Sequence, residues 1–130
     1  KKIPLWGIEG DSGLAQIAQQ RIDNEGRRQM RFACSDVGAF LRRNLPGQNS
    51  LIFLDPPRAG AESFVMRALA ASGASDIVYI SCHPISLARD LKTFMEARPG
   101  AYKIAAVQPF EMFPQTDHVE TAVHLIIDRS

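Results

Sequence analysis

The chain has 130 residues, 45% hydrophobic and 22% charged, a composition that supports one soluble globular core and excludes a disordered polymer. Fifteen basic residues against fourteen acidic give a net charge of +1, so no overall field marks a nucleic-acid or membrane partner; eleven of the fifteen are arginines, which suit phosphate contacts when several share a face. No apolar stretch approaches the roughly 18 residues that cross a bilayer, Lys1-Lys2-Ile3-Pro4 lacks a secretion signal's apolar run, and two cysteines are too few for a disulfide framework, so a cytoplasmic protein with reduced thiols is expected.

Apolar runs alternate with helical patterns along the whole chain, the mark of a parallel sheet with crossover helices. Pro4 to Glu9 is a predicted strand, and Asp11 or Ser12 then caps a helix whose apolar stripe is Leu14, Ile17, Ala18 and Ile22, with Gly26 at its end. Met30 to Cys34 is a second strand, followed by a short helix from Val37 to Leu45 and a Pro46-Gly47 turn. Leu51 to Leu54 is continuously apolar, which predicts a strand buried on both faces. A helix from Glu62 to Ser72 leads to a strand from Asp76 to Ile80, and Pro84 opens a helix with Leu87, Leu91, Phe94 and Met95 on one stripe. Tyr102 to Val107 and Val119 to Ile127 are the last strands. The dozen residues between them have no helical period, so the final pair is predicted antiparallel.

Three groups of residues carry possible chemistry. Glu9 closes the first strand just before a helix, where an acid commonly receives ribose hydroxyls; an ordinary solvated carboxylate fits the position equally. Gly7, Gly10 and Gly13 around it do not have phosphate-loop spacing and read as turn glycines. Asp55-Pro56-Pro57-Arg58 sets a carboxylate on a stiff loop at the sheet's carboxyl edge, able to orient a substrate or simply to cap the next helix. In amino-group methyltransferases an aromatic follows a similar Pro-Pro, and here Arg58 stands in that place.

Cys82 ends a strand, precedes a proline-started helix and lies between Ser81 and His83, whereas Cys34 sits in an apolar strand and is expected to be buried and inert. A helix N-terminus favours a thiolate by only about 0.3 to 1 kcal/mol, so a further group or the substrate must complete the activation. His83 is a weak candidate for that group, because an adjacent turn residue often points elsewhere. In Phe113-Pro114-Gln115-Thr116-Asp117-His118-Val119-Glu120 a turn leads into the last strand, where His118 and Glu120 alternate onto one side as a general base and its neighbour, or as an exposed strand end. A metal site from Cys82, His118 and Glu120 has no ligand spacing to support it.

Asp55-Pro56-Pro57-Arg58-Ala59-Gly60, then Tyr79-Ile80-Ser81-Cys82-His83-Pro84 with Leu87-Ala88-Arg89-Asp90, then the segment from Phe113 to Glu120 resemble, in order, the signatures of the RNA 5-methyluridine methyltransferases. The likeness runs from the Gly7-Ile8-Glu9-Gly10 strand end to the last strand and is to that family's carboxyl-terminal catalytic domain. It implies an α/β, Rossmann-like class I methyltransferase fold with its final two strands antiparallel, S-adenosylmethionine as cofactor, and tRNA or rRNA as partner. It also implies Cys82 as nucleophile and Glu120 as general base. Glu9 would hold the cofactor's ribose and Asp36 would lie near its adenine. Asp55 would meet the target uracil or the reacting end of the cofactor, with Arg58 and His118 on the substrate side.

Two features depart from the family. His83 replaces the usual Asn after the cysteine, and nothing in Lys1 to Gly7 supplies the glycine-rich cofactor loop and first strand. Residues 1–130 are therefore expected to be a partial catalytic domain, inactive by itself and prone to self-association through the exposed edges of an interrupted sheet. Methylation of cytosine carbon 5 or another nucleic-acid atom, and a non-catalytic Rossmann-like interaction domain, are the alternatives.

Overall fold

The structure is a computed structural model that describes residues 3–116 and 118–130; Asp117 of the third motif, with Lys1 and Lys2, lies outside the described residues. The elements are β1 (Leu5–Glu9), α1 (Ser12–Asn24), β2 (Met30–Cys34), α2 (Val37–Arg43), β3 (Leu51–Leu54), α3 (Ser63–Ser72), β4 (Asp76–Ser81), α4 (Pro84–Ala97), β5 (Tyr102–Phe110) and β6 (Glu120–Ile127). They form two compact units, Lys1–Asn44 and Leu45–Ser130. Among the described residues no helix is long and apolar enough to cross a membrane.

In the first unit β1 and β2 pair in parallel, from Leu5 opposite Met30 to Glu9 opposite Cys34, with α1 as the crossover. Asp11 caps α1 by accepting the Leu14 N–H at 2.9 Å. The helix presents Ala15, Ala18, Gln19 and Ile22 inward, whereas Leu14 and Ile17 are 57% and 62% exposed. The expected stripe is thus only half right: a sheet of two strands is too narrow to cover it, and the row that packs is the one whose Gln19 carbonyl oxygen accepts the Phe32 N–H at 2.9 Å. Gly7 is not a turn glycine either. It lies within β1, where a Cβ would come within 2.5 Å of the Phe32 ring that crosses the strand, and Gly13 lies within α1.

In the second unit the strand order is β3-β4-β6-β5, with β3 and β4 parallel; β5 and β6 pair antiparallel, as the missing helical period implies, and β6 is antiparallel to β4 as well. Ile77 and Tyr79 of β4 face Leu125 and Val123 of β6, and these four side chains are buried with Met66 and Leu69 of α3 and Leu87 and Phe94 of α4. Tyr102 closes the core, its ring edge-on to Phe94 at 4.9 Å and its hydroxyl donating to the Ala74 carbonyl. β5 runs three residues beyond the predicted end because its pairing with β6 continues to Phe110 opposite Glu120; Pro109 is tolerated there because the outer side of an edge strand needs no donor.

The expectation that β3 is buried on both faces fails. Leu51 and Phe53 are 58% and 67% exposed, because β3 is the edge strand of its sheet and only the alternate residues, Ile52 and Leu54, share the core side with Ile77 and Tyr79.

Both tyrosines of the chain are core residues. Burial, and then the hydrogen bond to Asp90, hold the Tyr79 hydroxyl well above the usual tyrosine range, and burial raises Tyr102. A raised folded pKa keeps the proton on the folded chain after the unfolded chain has lost it. This stability is therefore fully present below the unfolded value of 10.0 and is lost as pH rises past it. In alkaline titration, tyrosinate absorbance is expected to appear together with loss of the folded circular dichroism signal; tyrosinate in a chain that is still folded would contradict this.

Candidate active site

The second unit brings three of the predicted site residues to one sheet edge through strand register. β4 and β6 pair antiparallel down to Ser81 opposite Thr121, the residues next to Cys82 and Glu120 in the chain. β3 and β4 pair in parallel up to Leu54 opposite Tyr79, so one further step sets Asp55 opposite Ile80. Side chains alternate along a strand, and the core side of β4 is Ile77, Tyr79 and Ser81. Asp55 directly follows β3, Cys82 directly follows β4 and Glu120 opens β6, so the three lie near one another at the carboxyl end of the parallel strands.

Cys82 is half-buried and its backbone is bracketed by its neighbour. The Ser81 hydroxyl donates to the His83 carbonyl and accepts the His83 N–H, each at 3.0 Å, which makes a tight turn with Cys82 at its apex. Pro84 then starts α4 and His83 is its N-cap, with Nδ1 3.0 Å from Ser86 Oγ, so the His83 ring is engaged with α4. Glu120 is half-buried at the first position of β6. His118 is exposed and precedes the strand, its N–H pointing to Thr116 Oγ at 3.4 Å; the expected alternation of His118 with Glu120 along β6 is not formed, because the ladder begins only at Glu120.

Among the described residues the Asp55 carboxylate has no hydrogen-bond partner, and α3 is capped at Glu62, so Asp55 does not serve as a helix cap. Arg58 is exposed, with its carbonyl accepting from Ser86 Oγ at 2.8 Å. The loop from Asp55 to Ala61 is closed by Gly60 N–H donating to Pro57 O at 2.8 Å and by Ala61 N–H donating to Asp90 Oδ2 at 2.7 Å. Asp90 is 2% exposed and also accepts from the Tyr79 hydroxyl at 2.5 Å and from Arg89. Sequence reasoning assigned Asp90 no role, although a carboxylate between Leu87 and Phe94 on the apolar stripe of α4 was a signal that it is buried against something polar.

In the first unit Glu9 and Asp36 lie at the carboxyl edge of the parallel pair. Glu9 Oε1 accepts the Asp11 N–H at 2.9 Å, which leaves its second oxygen for another donor, and the Ser35 N–H continues the edge by donating to the Glu9 carbonyl. Asp36 caps α2 through the Ala39 N–H at 2.8 Å. Cys34, expected to be buried, is exposed: it ends β2 beside Ser12, Gln16 and Gln19, which leave an open hollow.

Residues 41–128 match the sequence profile of the tRNA (uracil-5-)-methyltransferase family. An uncharacterized RNA methyltransferase of Bdellovibrio bacteriovorus is 46% identical over 95% of this chain, which spans 32% of that protein. Another from Thermotoga maritima is 47% identical over 92% of this chain and is spanned to 26%. The chain thus covers about a third or less of the length of these relatives. The crystal structure of the Pyrococcus abyssi tRNA (uracil-54, C5)-methyltransferase in complex with S-adenosyl-L-homocysteine superposes with a TM-score of 0.77 at 25% identity, over 95% of this chain and 29% of that one. A putative methyltransferase from Escherichia coli shares the fold, at TM-score 0.66 and 15% identity over 97% of this chain and 66% of that one.

The exposure of Cys34 has a direct check. Brief treatment of the native protein with iodoacetamide is expected to label Cys34 by mass spectrometry; protection of Cys34 until denaturant is added would restore the buried reading.

Proposed function

The chain belongs to the tRNA (uracil-5-)-methyltransferase family and has the Rossmann-like class I methyltransferase fold, and from that premise we propose that it is part of the catalytic domain of an enzyme that methylates carbon 5 of uridine in RNA through a cysteine adduct. The observation that supports the reading is the register of β6 on β4, whose last pair, Ser81 and Thr121, is flanked directly by the Cys82 thiol and the Glu120 carboxylate at the carboxyl edge of the sheet.

Carbon 5 of uracil is too weak a nucleophile to take a methyl group unaided. Cys82 supplies the activation: its sulfur bonds to carbon 6, the ring double-bond electrons move toward the carbon 4 carbonyl, and the resulting enolate makes carbon 5 electron-rich. S-adenosylmethionine, when bound, supplies an electrophilic methyl group on a sulfonium. Once carbon 5 holds both a methyl group and a proton, the Glu120 carboxylate takes the proton. The electrons left behind re-form the ring double bond, and the carbon–sulfur bond breaks to release the Cys82 thiolate. Asp55, fixed by two prolines and free of competing hydrogen bonds, orients the uracil through its imide N–H or the reacting end of the cofactor. Arg58 offers its guanidinium to phosphate, and His118 lies on the same substrate side.

The carboxylates at the edge of the first unit fit the cofactor's hydroxyls chemically. Glu9 keeps one oxygen free beside its bond to the Asp11 N–H, which is what a ribose hydroxyl requires, and Asp36, with one oxygen committed to the α2 cap, would lie near the adenine. Either tRNA or rRNA would present the same ring.

In the complete protein that carries this chain, Cys82→Ala is expected to reduce methyl transfer to uridine RNA to background. Glu120→Gln should slow turnover by about 10²- to 10⁴-fold while the covalent protein–RNA species accumulates, because only release is blocked. Retained transfer in the Cys82→Ala protein would overturn the nucleophile, and fast turnover in the Glu120→Gln protein would overturn the base.

A further inference from the structure

Asp90 is the buried charged residue among the described residues, and its neighbours explain what it does there better than packing does. A carboxylate taken out of water is costly unless every lone pair is used, and an apolar side chain would fill the same space at lower cost. Asp90 Oδ2 accepts from the Tyr79 hydroxyl at 2.5 Å and from the Ala61 N–H at 2.7 Å. Oδ1 accepts from Arg89 Nε at 2.9 Å and from Arg89 Nη2 at 2.7 Å, and the same Nη2 donates to the Ala59 carbonyl at 2.7 Å. Ser86, one turn earlier on α4, donates to the Arg58 carbonyl.

Three nearby backbone groups of the Asp55–Ala61 loop, at Arg58, Ala59 and Ala61, are therefore held by side chains of the helix that begins two residues after Cys82. Gly60 completes the fit. It has φ +85°, and a Cβ there would lie 2.5 Å from Asp90 Oδ2, so the loop reaches the carboxylate only with glycine at this position. Pro56 and Pro57 stiffen the other end of the loop. Asp55 and Arg58 then sit on a segment stiff at its start and tied at its end, and the tie runs to the element that places Cys82.

We infer that Asp90 is a positioning residue: with Arg89 as its arm it ties the Asp55–Ala61 loop to α4 and so sets where Asp55 and Arg58 meet the RNA relative to Cys82. The inference rests on the functional reading above for its RNA half. Its structural half stands on the hydrogen bonds alone. Asp90 itself lies beneath the loop and touches no reacting atom.

The test uses the complete protein with Asp90→Asn, which keeps the shape of the side chain but turns an amide toward Arg89, and with Arg89→Gln at a position exposed enough that folding is not at stake. Both variants are expected to speed hydrogen exchange at the Gly60 and Ala61 amides by about tenfold and to raise the KM for uridine RNA by about tenfold, with the rate of Cys82 alkylation in the free protein unchanged. Combined with Arg58→Ala, Asp90→Asn should add little to the KM already raised by the single change, since both act on one contact. Unchanged exchange in the Arg89→Gln protein would overturn the tether. Faster exchange with unchanged KM and kcat would overturn its role in positioning, as would full additivity with Arg58→Ala. Wild-type protein that fails to methylate uridine RNA would overturn the functional reading and the RNA half of this inference, while the exchange rates still report on the tether.

Discussion

Each residue of β6 from Thr121 to Ile126 is committed to a partner on β4, and that pairing decides what stands at the end of the two strands. An antiparallel ladder allows no half-step: a slip by one residue moves every side chain of β6 to the opposite face, taking Val123 and Leu125 out of the core. The buried apolar residues of β6 therefore hold Thr121 opposite Ser81, and so keep Glu120 near the end of β4, as a by-product of keeping themselves out of water. The same reasoning applies to β3, whose parallel pairing with β4 delivers Asp55 to the same edge. The groups at this edge are thus positioned by a core to which they do not belong.

Precision beyond the strand ends needs other devices, because ladder hydrogen bonds stop where the loops begin. Cys82 has the Ser81 hydroxyl bracketing its turn and the His83 cap with Pro84 beginning the helix behind it. The Asp55–Ala61 loop has prolines at one end and the Asp90 carboxylate at the other. The two devices share α4, so the thiol and the Asp55–Ala61 loop are referred to one rigid element. A buried carboxylate is a poor way to gain stability but a good way to fix a position, and Asp90 holds backbone that no ladder reaches.

Much of this was legible in the sequence, and the parts that were not have physical causes. Met30–Cys34 and Leu51–Leu54 stand out as short apolar runs between turn residues, and both are strands over those residues. Pro84 and the Leu87–Phe94 stripe located α4 and, with it, Cys82. Periodicity reports which residues are apolar, not how much surface is available to cover them. That is why Leu14, Ile17, Leu51, Phe53 and Cys34 were all expected to be more buried than they are: the sheet of the first unit has two strands, and β3 is at the edge of its own. Gly7 was misread because the Phe32 ring that requires it lies far along the chain. Asp90 was passed over for the same reason: the Ala61 N–H that it accepts comes close only once the loop has folded back onto α4.

The pairing of β6 on β4, together with the Ser81 turn, is expected to bring Cys82 beside Glu120. It is tested most directly by a disulfide trap: Glu120→Cys in a protein whose other cysteine is removed by Cys34→Ala. Residues directly opposite across an antiparallel pair have Cα separations of about 4.5 to 5.5 Å, within the range that a disulfide spans. Mild oxidation is expected to consume both thiols and give an intramolecular bond between positions 82 and 120 in the peptide map. Two thiols that remain free in the folded, oxidised protein would contradict this placement and with it the proposed pairing of nucleophile and base.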